Sequence, residues 1–176
     1  MTEKNLKISV AGVRGIYPDG INSEVAFKFG IAFGLYGKGK TFLIGQDTRI
    51  SGDVLTSSVI SGILSSGKNV INLGIIPTPL IEYIIEKIEK KYGVIITASH
   101  NPEKYNGLKF LNRKGNFLNQ NDWEEFWKIF KKIDKFSPSK IPGEIKEINK
   151  NYKEIYFNDI YNSVNNEEIK KKKFKV

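Results

Sequence analysis

The chain of 176 residues contains no cysteine, one histidine and one methionine. Without cysteine it can have no disulfide scaffold, thiolate metal site or cysteine nucleophile. One histidine, His100, is too few for a histidine-rich metal cage. Arginine is scarce as well: of 28 basic residues only Arg14, Arg49 and Arg113 are arginine, and the rest are lysine. No apolar run approaches the ~18 residues a membrane span needs. Met1 is followed by Thr2-Glu3-Lys4 rather than by a signal peptide. These absences predict a soluble, cytoplasmic protein with no membrane partner.

What is present is a strong basic excess, a formal charge of +9. Such a surplus suits nucleic acid, an anionic membrane surface or a phosphorylated small molecule. The chain also carries 25 isoleucines and 16 asparagines, so the lysine surplus reads as a general compositional bias. A nucleic-acid groove leans on arginine forks with interleaved aromatics, and neither pattern occurs here. No nucleic-acid partner is expected. The length fits one domain and at most a fragment of a second, and at this size folding removes roughly 70% of the unfolded surface.

Fifteen of the 16 glycines lie between Gly12 and Gly115, so the early part has tight turns between short elements and the later part is lysine-rich. Leu6 to Ala11 reads as a strand and Gly12-Val13-Arg14-Gly15 as the loop after it. A helix capped by Ser23 carries Val25, Ala26, Phe29, Ala32 and Phe33 at helical spacing. Thr41 to Gly45 reads as a buried strand. Ser51 or Asp53 opens a second helix that stops near Gly67. Asn69 to Gly74 is a strand, and Pro77 and Pro79 start a third helix running to about Lys90. Gly93 to Thr97 is the most apolar strand, Leu108 to Leu111 another, and Asp122 to Ile133 a helix with Trp123, Phe126, Trp127 and Phe130 on one face. This alternation predicts a three-layer α/β/α sandwich with a mixed, mostly parallel sheet, with ligands gathering at the carboxyl ends of the strands.

Three polar loops occupy that end. In Thr97-Ala98-Ser99-His100-Asn101-Pro102 a serine stands just beyond a buried strand, and the Asn-Pro pair turns the backbone. Asn106-Gly107 returns the chain through Lys109, which could lie beside Ser99. Taken alone, the plainer reading of this loop is a Ser-Asn-Pro surface turn with an exposed histidine. A Ser-His-acid hydrolase does not fit, because the sole histidine is the serine's neighbour and no Gly-x-Ser-x-Gly elbow is present. The loop Gly45 to Gly52 could present backbone N–H groups to an anion. Its plainer reading is an Asp47–Arg49 ion pair with Ser51 capping a helix. Gly12-Val13-Arg14-Gly15 sets an arginine between glycines, where it could fork onto phosphate or simply form a turn.

Taken in this order, from about Val10 to Phe117, these pieces resemble the first domain of the α-D-phosphohexomutases, the phosphoglucomutase and phosphomannomutase family. The resemblance implies a phosphoserine enzyme interconverting hexose 1- and 6-phosphates, with Ser99 carrying the phosphoryl group. It implies catalytic roles for Ser99, Lys109, Arg14 and His100, and substrate binding by Arg14, His100 and Asn101. It implies Mg²⁺ touching Ser99 through its phosphate, the other ligands lying outside this chain, and a hexose phosphate substrate. The chemistry is consistent, since phosphoryl transfer needs a fixed hydroxyl and neutralised equatorial oxygens.

The resemblance also implies four domains around one cleft. Residues 1–135 are then the phosphoserine domain, 136–150 a linker, and 151–176 a helix and the start of a second domain, with Lys173 to Val176 opening its first strand. On that reading the remaining mutase domains are partners, the chain is inactive alone, and exposed apolar surface favours self-association. Two other classes stay open: a non-catalytic sugar-phosphate-binding module or subunit, and a basic nucleic-acid binder whose affinity falls steeply with salt.

Overall fold

A computed structural model describes residues 5–172 and 174. The five strands read above, joined by two more at Gly12–Ile16 and Ile145–Lys146, form a seven-stranded sheet in the order β1-β2-β6-β5-β3-β4-β7. Here β1 is Leu6–Ser9, β2 Gly12–Ile16, β3 Thr41–Gln46, β4 Asn69–Ile75, β5 Tyr92–Ile96, β6 Tyr105–Leu111 and β7 Ile145–Lys146. The pairs β5–β3, β3–β4 and β4–β7 are parallel, and β1–β2, β2–β6 and β6–β5 are antiparallel. Five strands therefore point one way, with β1 and β6 reversed.

One face is covered by α1 (Ser23–Tyr36), α2 (Gly52–Ser65) and α4 (Gln120–Phe130). Phe29 and Phe33 of α1 pack with Phe110 of β6 and Phe126 of α4 in the larger apolar cluster. Phe29 also stacks on Phe130 at 3.9 Å. The other face carries α3 (Thr78–Tyr83), which continues as a π-helical stretch over Ile84–Glu89 and ends where Lys90 turns left-handed, at φ 52°. Leu80, Ile81, Ile84 and Ile85 pack there against Leu43, Ile71 and Ile95. A further helix, α5 (Tyr152–Ser163), joins this layer through buried Tyr152, and α6 spans Asn166–Lys172.

Several local readings change. Gly12–Ile16 is a strand, not a loop: glycines at 12 and 15 hid the pairing that β1 and β6 impose from either side. Asn22, not Ser23, caps α1, its side chain accepting the Val25 N–H at 3.0 Å. Ser51 makes no side-chain cap bond to α2. The aromatic helix begins at Gln120, two residues early, because Asn119 and Asp122 form a reciprocal capping box. Part of the stretch expected as a linker is held to the body of the fold: Ser139 and Gly143 N–H donate to Ser65 O and Leu64 O of α2, Val70 N–H donates to Glu144 O at 3.0 Å, and β7 extends the edge. The strand expected at Lys173 to Val176 lies outside the described residues, apart from exposed Phe174.

Candidate active site

The strand register sets the site. Lys7 of β1 lies opposite Arg14 of β2, which lies opposite Gly107 of β6. Directly paired residues share a face, and so do residues two apart along a strand. Lys7, Arg14 and Lys109 therefore project from one face of the sheet, the face on which α3 packs over β3 and β5. Gly107 makes the close approach possible. A Cβ at this position would lie 2.6 Å from Val13 O and 2.9 Å from Thr97 O.

At the carboxyl end of β5 the chain leaves the sheet through buried Thr97 and Ala98. Thr97 Oγ1 accepts the Ser99 N–H at 2.9 Å. Ser99 is exposed and sits at φ +56°, a left-handed conformation that few residues other than glycine adopt. Asn101 closes the turn behind it, its Nδ2 and its backbone N–H both donating to Ala98 O, at 2.7 and 3.1 Å.

Ser99, His100, Arg14 and Lys109 line one pocket of about 210 Å³ together with Lys7. Asn101 lines an adjoining cavity of about 540 Å³ that Ser99 shares with Asp47, Arg49 and Thr78. The five residues singled out by sequence thus gather at one rim, with Ser99 common to both hollows. Lys109 Nζ also lies over the Phe117 ring, 5.2 Å from its centroid. Burial pushes the Glu82 carboxyl above its ordinary range, against the pull of the Lys109 charge.

The Asp47–Arg49 pair forms as expected, with Nε to Oδ2 at 3.1 Å. What sequence reasoning missed is where the rest of Arg49 goes. Its Nη1 donates to Pro102 O at 2.8 Å and Tyr105 O at 2.9 Å, and its Nη2 to Ser99 O at 2.9 Å and Asn101 O at 2.7 Å. The one available signal was that a rare arginine follows a buried strand. Lys7 was missed too, because a lysine on an edge strand looks like ordinary surface charge. Ser51, read as a cap, instead accepts a hydrogen bond from buried Asn106 Nδ2 at 2.8 Å.

With this geometry in hand, comparison with known proteins is informative. The sequence model described as phosphoglucomutase/phosphomannomutase, alpha/beta/alpha domain I, matches residues 5–137. The chain belongs to this family. Phosphoglucosamine mutase of Prochlorococcus marinus (strain MIT 9215) is 35% identical over 161 residues, covering 90% of this chain and 35% of that protein. Phosphoglucosamine mutase of Alkaliphilus metalliredigens (strain QYMF) is 46% identical over 109 residues, covering 59% and 24%. The chain thus spans between a quarter and about a third of the length of these relatives. A Thermus thermophilus protein ascribed to phosphomannomutase superposes with a TM-score of 0.77 at 22% identity, covering 92% of this chain and 36% of that one. A family protein of Burkholderia thailandensis superposes at 0.64 and 23%, covering 80% and 33%. At these identities the structural likenesses speak for the fold alone.

No group of three or more Asp, Glu, His or Cys side chains able to hold a metal occurs among the described residues. Mg²⁺ favours carboxylates together with phosphate oxygens. The donor set of the described residues does not by itself fit the Mg²⁺ that the family resemblance implies.

Proposed function

We propose that this chain is the phosphoserine-bearing first domain of a hexose-phosphate mutase, with Ser99 as the residue that carries and transfers the phosphoryl group. The observation that carries the reading is the convergence of an exposed serine in a fixed, left-handed backbone with Arg14, Lys109 and His100 around one pocket.

In the proposed step a sugar hydroxyl oxygen bonds to the phosphorus on Ser99 while the bond from phosphorus to Ser99 Oγ breaks. The Lys109 ammonium gives a proton to the departing serine oxygen and takes up the proton the sugar hydroxyl releases, so charge and protons balance. Arg14, flanked by Lys7, offers a planar fork to the equatorial oxygens, whose charge must be neutralised in the transition state. His100 and Asn101, at the mouth, orient the sugar hydroxyls. Transfer back from the other end of the bisphosphate completes the isomerisation.

The names of the relatives favour an amino-sugar phosphate, glucosamine 6-phosphate or 1-phosphate, as the substrate. Because the chain spans so little of those relatives, the other mutase domains are proposed as its partners. They would supply the metal-holding carboxylates and the rest of the sugar cleft, and the chain alone would not turn over. The test is intact-mass and peptide mapping of the chain after incubation with a labelled hexose 1,6-bisphosphate and Mg²⁺, with and without those domains. One phosphate on Ser99 that is absent from Ser99→Ala is expected. Label on another residue, or none even with the other domains present, would refute the role.

A further inference from the structure

We propose that Arg49 is the positioning residue of the Ser99 loop, a guanidinium clamp that holds the serine in its left-handed conformation without touching the transferred group. The functional consequence rests on the reading of Ser99 as phosphoryl carrier, whereas the conformational one does not. The Arg49 side chain is 11% exposed, and its guanidinium donors are all engaged: Nε on Asp47, and the two Nη atoms on four backbone carbonyls. Those carbonyls belong to Ser99, Asn101, Pro102 and Tyr105, so one planar group gathers both limbs of the loop from a residue about fifty positions earlier in the chain.

The loop has reason to need such a hold. A non-glycine residue at φ +56° is strained and persists only where its surroundings over-determine it. The bonds within the loop, from Ser99 N–H to Thr97 Oγ1 and from Asn101 to Ala98 O, fix its inner turn only. Arg49 ties that turn to the β3–α2 junction. The junction is itself held to the sheet by the Asp47 N–H on Ile96 O at 2.9 Å, and Asp47 Oδ1 accepts the Arg49 N–H at 3.1 Å. A lysine could not reproduce this, because a single ammonium with three donors cannot span four carbonyls and a carboxylate.

The experiment compares the chain with R49K and R49A in two arms. In the first, NMR Cα and Cβ shifts and amide hydrogen exchange read the backbone at residues 97–106. The wild type is expected to show a single left-handed conformer at Ser99. Both variants should lose it, with at least tenfold faster exchange confined to the loop and with sheet resonances unchanged. In the second, the rate of Ser99 labelling by a hexose 1,6-bisphosphate, with the other domains added, should fall at least tenfold. Millimolar methylguanidinium should partly restore it in R49A and not in R49K, a response that a general loss of stability would not give. A Ser99 conformation unchanged in both variants would overturn the proposal, as would loss of the whole fold in both, which would make Arg49 a folding residue. Absence of labelling in the wild type would count against the phosphoserine reading and leave the first arm to decide the clamp.

Discussion

Gly107 sets how near β2 can come to the Ser99 loop. Its backbone is flanked by Val13 O and Thr97 O, and Thr97 donates to Gly107 O at 3.0 Å. Gly107→Ala would push a methyl into two carbonyl oxygens that the sheet cannot easily yield. The expected loss is about 1–3 kcal/mol, read as a lower urea midpoint with an unchanged slope. If the extra methyl is absorbed with no change in midpoint, the close approach does not matter. The contrast with Ser99→Ala is instructive. That exposed side chain packs against little, so its removal should leave the midpoint within about 0.5 kcal/mol while abolishing phosphoryl labelling. The two substitutions separate what shapes the site from what acts in it.

At the scale of elements, the start of α5 is clipped by one carboxylate, while Tyr83 OH donates to Asp159 Oδ2 at 2.7 Å farther along the helix. Glu89, on the π-helical stretch, accepts from Lys150 Nζ at 2.8 Å and from Tyr152 OH at 3.0 Å, and pairs with Lys91. Burial alone would raise its pKa. The hydrogen bonds from Lys150, Lys91 and Tyr152 outweigh it and hold the carboxyl down at about 2, below its ordinary 4.5. A depressed folded-state pKa contributes stability above the unfolded value, and this is lost as pH falls through the folded one. Glu89→Gln should therefore cost about 1–3 kcal/mol near pH 7. The gap from wild type should close between about pH 4.5 and 2, measured by denaturant unfolding across that range. A gap independent of pH would mean that packing, not charge, holds α5. The bonds from Lys150 and Tyr152 were not legible in the sequence, because they reach back some sixty positions to Glu89. The helices and the buried strands were legible, because a period of 3.6 or an unbroken apolar run is a local signal. The strand at Gly12–Ile16 was not, since its pairing comes from β1 and β6 and its glycines look like a turn. The capping residue of α4 was missed for a smaller reason: Asn119 and Asp122 lie outside the apolar stripe that marked the helix. Replacing that cap, Asn119→Ala, should cost about 1 kcal/mol in thermal or urea unfolding.

For the whole molecule, the candidate residues could be picked out by type before their geometry was known, but the sheet face that brings them together could not. Ser99, Arg14 and Lys109 lie in three separate segments, and only the β1-β2-β6-β5 order makes them neighbours. The same order brings in Lys7, which no local pattern marked. The result is that three of the cations behind the chain's net charge of +9 gather around one pocket. A dianionic sugar phosphate should feel both the local fork and the long-range field. The field is screened over about 10 Å at 0.1 M salt, and the contacts much less. Titration of glucosamine 6-phosphate into the chain, followed by NMR, should shift resonances of Ser99, Arg14 and Lys109 with a dissociation constant on the order of 1 mM, because one domain offers only part of a cleft. Arg14→Gln should weaken binding about tenfold or more, since it removes a charge-assisted fork. Lys7→Gln should weaken it roughly two- to fivefold, as suits an exposed cation at the rim. Raising salt from 0.05 to 0.5 M should shrink the Lys7 effect far more than the Arg14 effect. Equal salt sensitivity in the two variants would mean that the phosphate is drawn by net charge alone, and the pocket between β2 and the Ser99 loop would lose its claim to be the site.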